Sequence, residues 1–300
     1  MNKKTIGNEP IYDARTLGAP RMLVLGFQHM FAMFGATVLV PTLTGLSVST
    51  TLLFAGLGTL LFHLLAKGKV PAFLGSSFAF LGGYAAIAPM LENPNSPGVF
   101  NVPNTELLPY ACFGVACAGL VYLVLSLLFK VFGVRKVMRF FPPIVTGPII
   151  IAIGLSLSSS AVNNCATSWP VALVAILVVI VCNIWGKGMI KIIPILLGVI
   201  ASYLVGAVSG QVDFTAVREA AWIGLPVTWS ETVFGLFGSG NVDTAMLATA
   251  AITIIPISLA TMVEHIGDMC AISSTCGRNY IQEPGLHRTL LGDGLATSLA

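Results

Sequence analysis

Apolar residues run through this chain in long blocks, and polar residues gather between the blocks. Nine such blocks can be read, at about 21–40, 49–66, 71–91, 107–129, 141–160, 169–186, 190–208, 245–272 and 289–300. Blocks of about 20 apolar residues predict helices that cross a bilayer. The third, fifth and seventh contain Gly or Pro, which a bilayer helix tolerates when its neighbours satisfy the freed backbone groups. The last, TLLGDGLATSLA, has twelve residues and no polar tail. It reads as a ninth span that stops unfinished. Two connections are long. ENPNSPGVFNVPNTE, from Glu92 to Glu106, is turn chemistry. Ser209 to Thr244 is the strongest break in composition and is expected to carry a short surface helix near Thr215 to Trp222.

The charges test this map. Fourteen of the fifteen Lys and Arg residues fall on one side if every block crosses, and only Arg218 falls on the other. Glu92, Glu106, Asp213, Glu219, Glu231 and Asp243 lie on the side opposite the basic residues. The positive-inside rule then places the N-terminus in the cytoplasm and predicts eight complete crossings. The division that follows is a cytoplasmic segment 1–20, seven spans over 21–208, an external loop 209–244, and spans eight and nine over 245–300. Segment 1–20 has no apolar core of a cleavable signal, so the first span is expected to act as its own insertion signal.

Composition agrees. The chain is 56% hydrophobic and 9% charged, against about 25% charged in soluble domains. This excludes a soluble domain with one anchor and predicts an all-α polytopic protein of the cell membrane. The six cysteines show no zinc-type spacing and read as small buried hydrophobes.

The chemistry concentrates in one stretch, AMLATAAITIIPISLATMVEHIGDMCAISS. Glu264 and Asp268 are four residues apart and share a helix face. An ionised carboxylate in hydrocarbon costs about 3 kcal/mol even on the lower scales. Two on one face need a ligand or a companion, and like charges this close are eased by sharing a proton. The pair points to a polar substrate site linked to protons. A solvated pair near the water interface is the plainer reading. His265 lies about 100° around the helix from Glu264 and is expected to face elsewhere. Asp293 reads as structural or solvated.

Two further places stand out. Gly75, Ser76 and Ser77 interrupt the third block, with Phe78 and Phe80 beside them. Small residues there serve close helix packing, or they mark a discontinuous helix whose backbone amides face a polar ligand. Gln28 and His29 in the first block read as an interhelical hydrogen bond or as part of a site. HExxH is absent, and no charged rings repeat along the chain. An intramembrane enzyme and a channel are therefore the weaker classes.

QHMFAMFGATVLVPTL, GKVPAFLGSSFAF, VEHIGD and EPGLHRTLLGDGLATSLA, in that order, resemble the bacterial uracil permeases. These are a branch of the nucleobase–cation symporters, also called nucleobase–ascorbate transporters. The resemblance runs from about Thr16 to Ala300. It implies fourteen spans in two inverted repeats of seven, with span three broken by a short extended piece. This chain would hold the first repeat and end in span nine. The resemblance also implies roles. Glu264 matches the glutamate that hydrogen-bonds the pyrimidine ring. Phe78, with Ser77 beside it, packs the base, and Ala36 supplies a backbone contact. His29 and Gln28, with His265, support the site. Asp268 departs from the best-known member of the uracil branch, where histidine is expected, and resembles purine-transporting relatives, while the other stretches look more like the uracil branch. The implied activity is proton-coupled uptake of uracil, or of xanthine or another purine base, through Glu264 and Asp268. The expected partners are the base, protons and membrane lipid, with a homodimer as an option. No cofactor, metal ion, catalytic residue or nucleic acid is expected.

Overall fold

Inside hydrocarbon a backbone must satisfy its own hydrogen bonds, so long apolar blocks become helices. The computed structural model describes residues 11–94, 96–139, 143–187, 189–192, 194–212, 214–219, 224–238 and 242–299. Every apolar block carries a helix. In chain order the helices are α1 Ala19–Thr44, α2 Val48–Leu65, α3 Leu81–Ile87, α4 Leu108–Phe132, α5 Val134–Val137, α6 Pro143–Thr167, α7 Trp169–Trp185, α8 Met189–Ile192, α9 Pro194–Val208, α10 Thr215–Glu219, α11 Phe234–Gly238, α12 Thr244–Ile254, α13 Ile257–Cys276 and α14 Leu286–Leu299. By length and apolarity alone, three spans among the described residues are fit to cross a membrane: α2, α4 and Thr244–Cys276. A fourth is added if Ala161–Thr167 and Trp169–Trp185, bent by 119°, count as one. The surface helix expected after Ser209 is α10, and Trp222 lies outside the described residues.

One connection departs from an all-α architecture. The loop after α3 forms an antiparallel ribbon of β1 Leu91–Asn93 and β2 Ser96–Val102, with Leu91 opposite Val102 and Glu92 opposite Phe100. The amide of Asn93 donates to Asn101 Oδ1 at 3.0 Å.

The chain divides into two compact units. One comprises the residues up to Gly35 together with Gly154–Leu225. In it α7 packs on α9, and Gly198 brings α9 close, since a Cβ there would lie 3.2 Å from the Ala175 carbonyl. Large apolar side chains such as Leu173, Leu177 and Ile184 are exposed, as expected of helices facing lipid.

The other unit comprises Ala36–Ile153 and Pro226–Ala300. Here α14 lies against both α2 and α4. Glycine makes the α4 contact possible. A Cβ on Gly119 would meet the Gly294 carbonyl at 2.6 Å, and one on Gly294 would meet Tyr122 Cβ at 2.4 Å. Ser298 Oγ closes the seam with a hydrogen bond to the Ala116 carbonyl, 3.0 Å. Two apolar clusters form the core. Phe62, Leu125, Phe129, Met262, Ile266, Leu286 and Leu290 belong to the first. Phe80, Tyr84, Ile87, Leu108, Val115, Ala250 and Ile254 belong to the second.

The third block is not one helix. From residue 71 to 77 the chain runs without helical structure, turns through a short 3-10 helix at Phe78–Phe80 and enters α3. Ser77 caps that turn, its hydroxyl accepting from Ala79 N–H at 3.3 Å. Thr59 of α2 holds the extended piece. Its hydroxyl accepts from Leu74 N–H at 3.1 Å and lies 3.2 Å from the Leu74 carbonyl and 2.8 Å from that of Ala55. One side chain thus compensates backbone groups that a continuous helix would have paired.

Candidate functional site

The second unit holds a cavity of about 300 Å³. One wall is α13, which turns Thr261, Glu264, His265 and Asp268 to it. These sit at i, i+3, i+4 and i+7, a single helix face. Another wall is the extended piece from Phe73 to Phe78. Tyr122 from α4 and Asp293 from α14 complete the polar lining.

Each wall is positioned by sequence. Pro256 precedes α13, and Gly277 in the left-handed conformation ends it, a C-cap that only glycine adopts without strain. Gly75 keeps the extended piece close to α1, because a Cβ there would lie 3.0 Å from Thr37 Oγ1. Among the described residues no partner is recorded for the backbone N–H groups of Gly75, Ser76 and Ser77. They are donors beside the cavity.

The electrostatics are one-sided. Glu264, Asp268 and Asp293 bring three carboxylates to the lining, and no Lys or Arg joins them. Glu264 is half-buried and Asp268 is exposed toward the open side. Neither has a hydrogen-bond partner among the described residues. His265 does not face away. Its Nδ1 lies 2.8 Å from Asp293 Oδ2, with both side chains largely buried. The 100° offset from Glu264 turns His265 toward α14, and α14 packs so closely that this direction still lies within the cavity wall. Asp293, read from sequence as structural or solvated, is half of that pair. Tyr122 Oη donates to Thr261 Oγ1 at 2.5 Å, and Thr261 donates to the Ser258 carbonyl at 3.1 Å.

The structure thus brings Glu264, Asp268, His265, Ser77 and Phe78 to one cavity. His29 is exposed and belongs to the other unit. Gln28 and Ala36 lie in α1, and their side chains fall outside the described residues. Sequence reasoning missed Tyr122, Thr261 and Asp293 as a connected set. Thr261 was findable, since it stands three residues before Glu264 on the same face. Tyr122 was one of three hydroxyls in the fourth block, with Tyr110 and Ser126, and only the packing of α4 against α13 shows that it touches Thr261. Among the described residues no group of His, Cys, Asp and Glu is arranged to hold a metal ion.

The whole of this geometry falls within a stretch that matches known proteins. A family model described as Permease family covers residues 20–300. The chain belongs to this permease family. It is 38% identical to the uracil permease of Bacillus caldolyticus over 309 aligned residues, covering 100% of this chain and 65% of that protein. It is 37% identical to the uracil permease of Bacillus subtilis, covering 91% of this chain and 61% of the other. It is 40% identical to a probable uracil permease of Haemophilus influenzae, covering 92% and 62%. The resemblance to the bacterial uracil permeases is borne out. The permease-family chain spans a little over three-fifths of the length of these relatives. With its apolar helices, family membership makes it a membrane-embedded chain.

Proposed function

We propose that this permease-family chain belongs to a secondary active transporter that takes up uracil with protons across the cell membrane. The observation that carries the reading is the cavity itself. Two carboxylates, Glu264 and Asp268, with no hydrogen-bond partner among the described residues stand beside a strip of backbone donors that likewise have none there.

Uracil's edge alternates ring N–H donors and carbonyl acceptors. Glu264 accepts from a ring N–H, and the amides at Gly75 to Ser77 donate to a carbonyl. Phe78 lies against the ring face. Asp268, at the open side, accepts from an approaching base and couples to Glu264 through like-charge repulsion. Base and proton then favour each other's binding, which is the reciprocity a symporter needs. The supporting role of His29 and Gln28 and the backbone contact of Ala36 are carried over from the resemblance alone. Asp268 also favours a second reading, a xanthine or other purine symporter on the same fold.

The finer architecture is part of the proposal. Seven spans over 21–208 form one repeat, 209–244 is an external loop, and 245–300 opens an inverted second repeat of a fourteen-span protein. The N-terminus is cytoplasmic, the protein carries no catalytic residues, and a second copy of the chain is accommodated as a homodimer.

Counterflow in vesicles tests the class. The protein, at the length of its relatives, should exchange labelled for unlabelled uracil with the molecule unchanged. A channel gives no counterflow, and an enzyme alters the base. Xanthine exchanged in preference to uracil selects the second reading.

A further inference from the structure

Glu264 and Asp268 are not the only ionisable groups in the cavity. His265 Nδ1 and Asp293 Oδ2 lie 2.8 Å apart, on side chains 5% and 18% exposed. Nδ1–H donates to the carboxylate, which fixes the ring's orientation. That leaves Nε2 at the other end of the ring, buried and without a hydrogen-bond partner among the described residues.

A ring held this way has one place for an added proton. Nδ1 stays committed to Asp293 whether the ring is neutral or charged. A proton arriving at Nε2 forms one N–H bond, and the pair goes from a net charge of −1 to 0. The ionisable and polar groups that share the lining with the ring come from several elements. Glu264 and Asp268 stand on α13 beside it, Tyr122 comes from α4 and Tyr84 from α3. From α2 there is the Thr51 hydroxyl, and the extended piece brings Ser76 and Ser77. His265 is the one base in this lining that becomes a cation, and three carboxylates share the lining with it.

We propose that His265, oriented by Asp293, carries the coupled proton, while Glu264 and Asp268 engage the ligand. This rests on the transporter reading of the cavity and moves the coupled proton within it, from Glu264 and Asp268 to His265. The burial of Nε2 is in keeping with the role. A coupling group that exchanged protons freely in every conformation would leak them. Nε2 is shielded in this conformation, so loading requires a rearrangement that uncovers it.

The test uses the full chain in vesicles, with His265→Gln and Asp293→Asn. Three quantities are read: uracil counterflow, accumulation under an imposed inward proton gradient, and the pH midpoint of accumulation. His265→Gln should lose accumulation, while its counterflow falls less than about tenfold and no longer varies between about pH 5 and 8. Asp293→Asn should keep some accumulation with a midpoint moved to more acidic pH, because a neutral amide stabilises the imidazolium less. Normal accumulation by His265→Gln, or an unmoved midpoint in Asp293→Asn, overturns the assignment. Loss of counterflow in a folded His265→Gln protein places His265 on the ligand and overturns it too. If His265→Gln does not fold, the Asp293→Asn midpoint decides alone. Failure of the unmutated protein to exchange uracil overturns the transporter reading instead.

Discussion

Glu264 and Asp268 differ in how much a substitution should cost, because they differ in depth. Glu264 is half-buried and Asp268 lies toward the open side. Glu264→Ala leaves a ring N–H of the bound base facing no acceptor, at a cost of ~1–3 kcal/mol. Equilibrium binding of labelled uracil should weaken by roughly one to two orders of magnitude. Glu264→Gln keeps one carbonyl acceptor and should weaken binding less. Asp268→Asn should act mainly on the pH optimum, since it removes a like charge one helical turn away. Equal losses for Glu264→Ala and Asp268→Asn would contradict this order. A third carboxylate sits outside the spans and should matter little. Lys69 donates to Glu283, and that hydrogen bond holds the Glu283 carboxyl below its ordinary value. The lowered value means the contact is present above the ordinary carboxylate range and is lost as pH falls through the depressed one. The group is fully exposed, so water screens the pair. Glu283→Gln should leave the Tm at neutral pH unchanged within error, and a large drop would show the pair to be structural. The acidic face was legible in the sequence because a spacing of four on a helix needs no tertiary knowledge. The His265–Asp293 pair was not legible. It joins residues 28 positions apart on two different helices, α13 and α14, and only the tertiary packing brings them together.

At the scale of elements, close packing and open space make opposite predictions for the same substitution. Gly294→Ala puts a Cβ 2.4 Å from Tyr122 Cβ and 2.8 Å from the Gly119 carbonyl. Neither neighbour is a flexible chain end, so α14 must move off α4, at about 1–3 kcal/mol. Gly56 in α2 has nothing within 4 Å of its missing Cβ. Gly56→Ala should be neutral or stabilising by about 0.4–1 kcal/mol, since alanine restricts the unfolded chain. Thermal unfolding in detergent reads both, and a Gly56→Ala loss as large as that of Gly294→Ala would refute the packing account. The broken third block rests on the same kind of detail. The Gly-Ser-Ser interruption marked where a helix fails, and there the pattern was readable. That Thr59 on another helix would catch the Leu74 backbone was not, because one threonine in an apolar run looks like any other. The β1–β2 ribbon escaped notice for a related reason. Its turn residues announced a loop, and two short strands carry too little alternation to stand out from it.

At the scale of the whole chain, the charge alternation makes a claim that helix packing does not address. Fourteen basic residues share a side only if each of eight blocks crosses once. A re-entrant or miscounted segment would have moved every later cluster to the other face. The broken third block is the hardest case, because an extended piece followed by the short α3 could return to the side it entered. If it crosses, the β1–β2 ribbon is external and the α4–α5 junction is cytoplasmic. Single cysteines in a background lacking the six native ones separate the alternatives. Phe100→Cys on the ribbon is 64% exposed and Leu225→Cys in the second long loop is 91% exposed. Both should react with a membrane-impermeant maleimide added to intact cells. Lys136→Cys, exposed at the end of α5, should react only after the membrane is opened. Protection at Phe100→Cys together with labelling at Lys136→Cys would invert the orientation. Labelling of Phe100→Cys and Lys136→Cys from the same side would show instead that the span between them, α4, does not cross. That result would dismantle the charge map, and the inverted-repeat proposal built on its span count would fall with it.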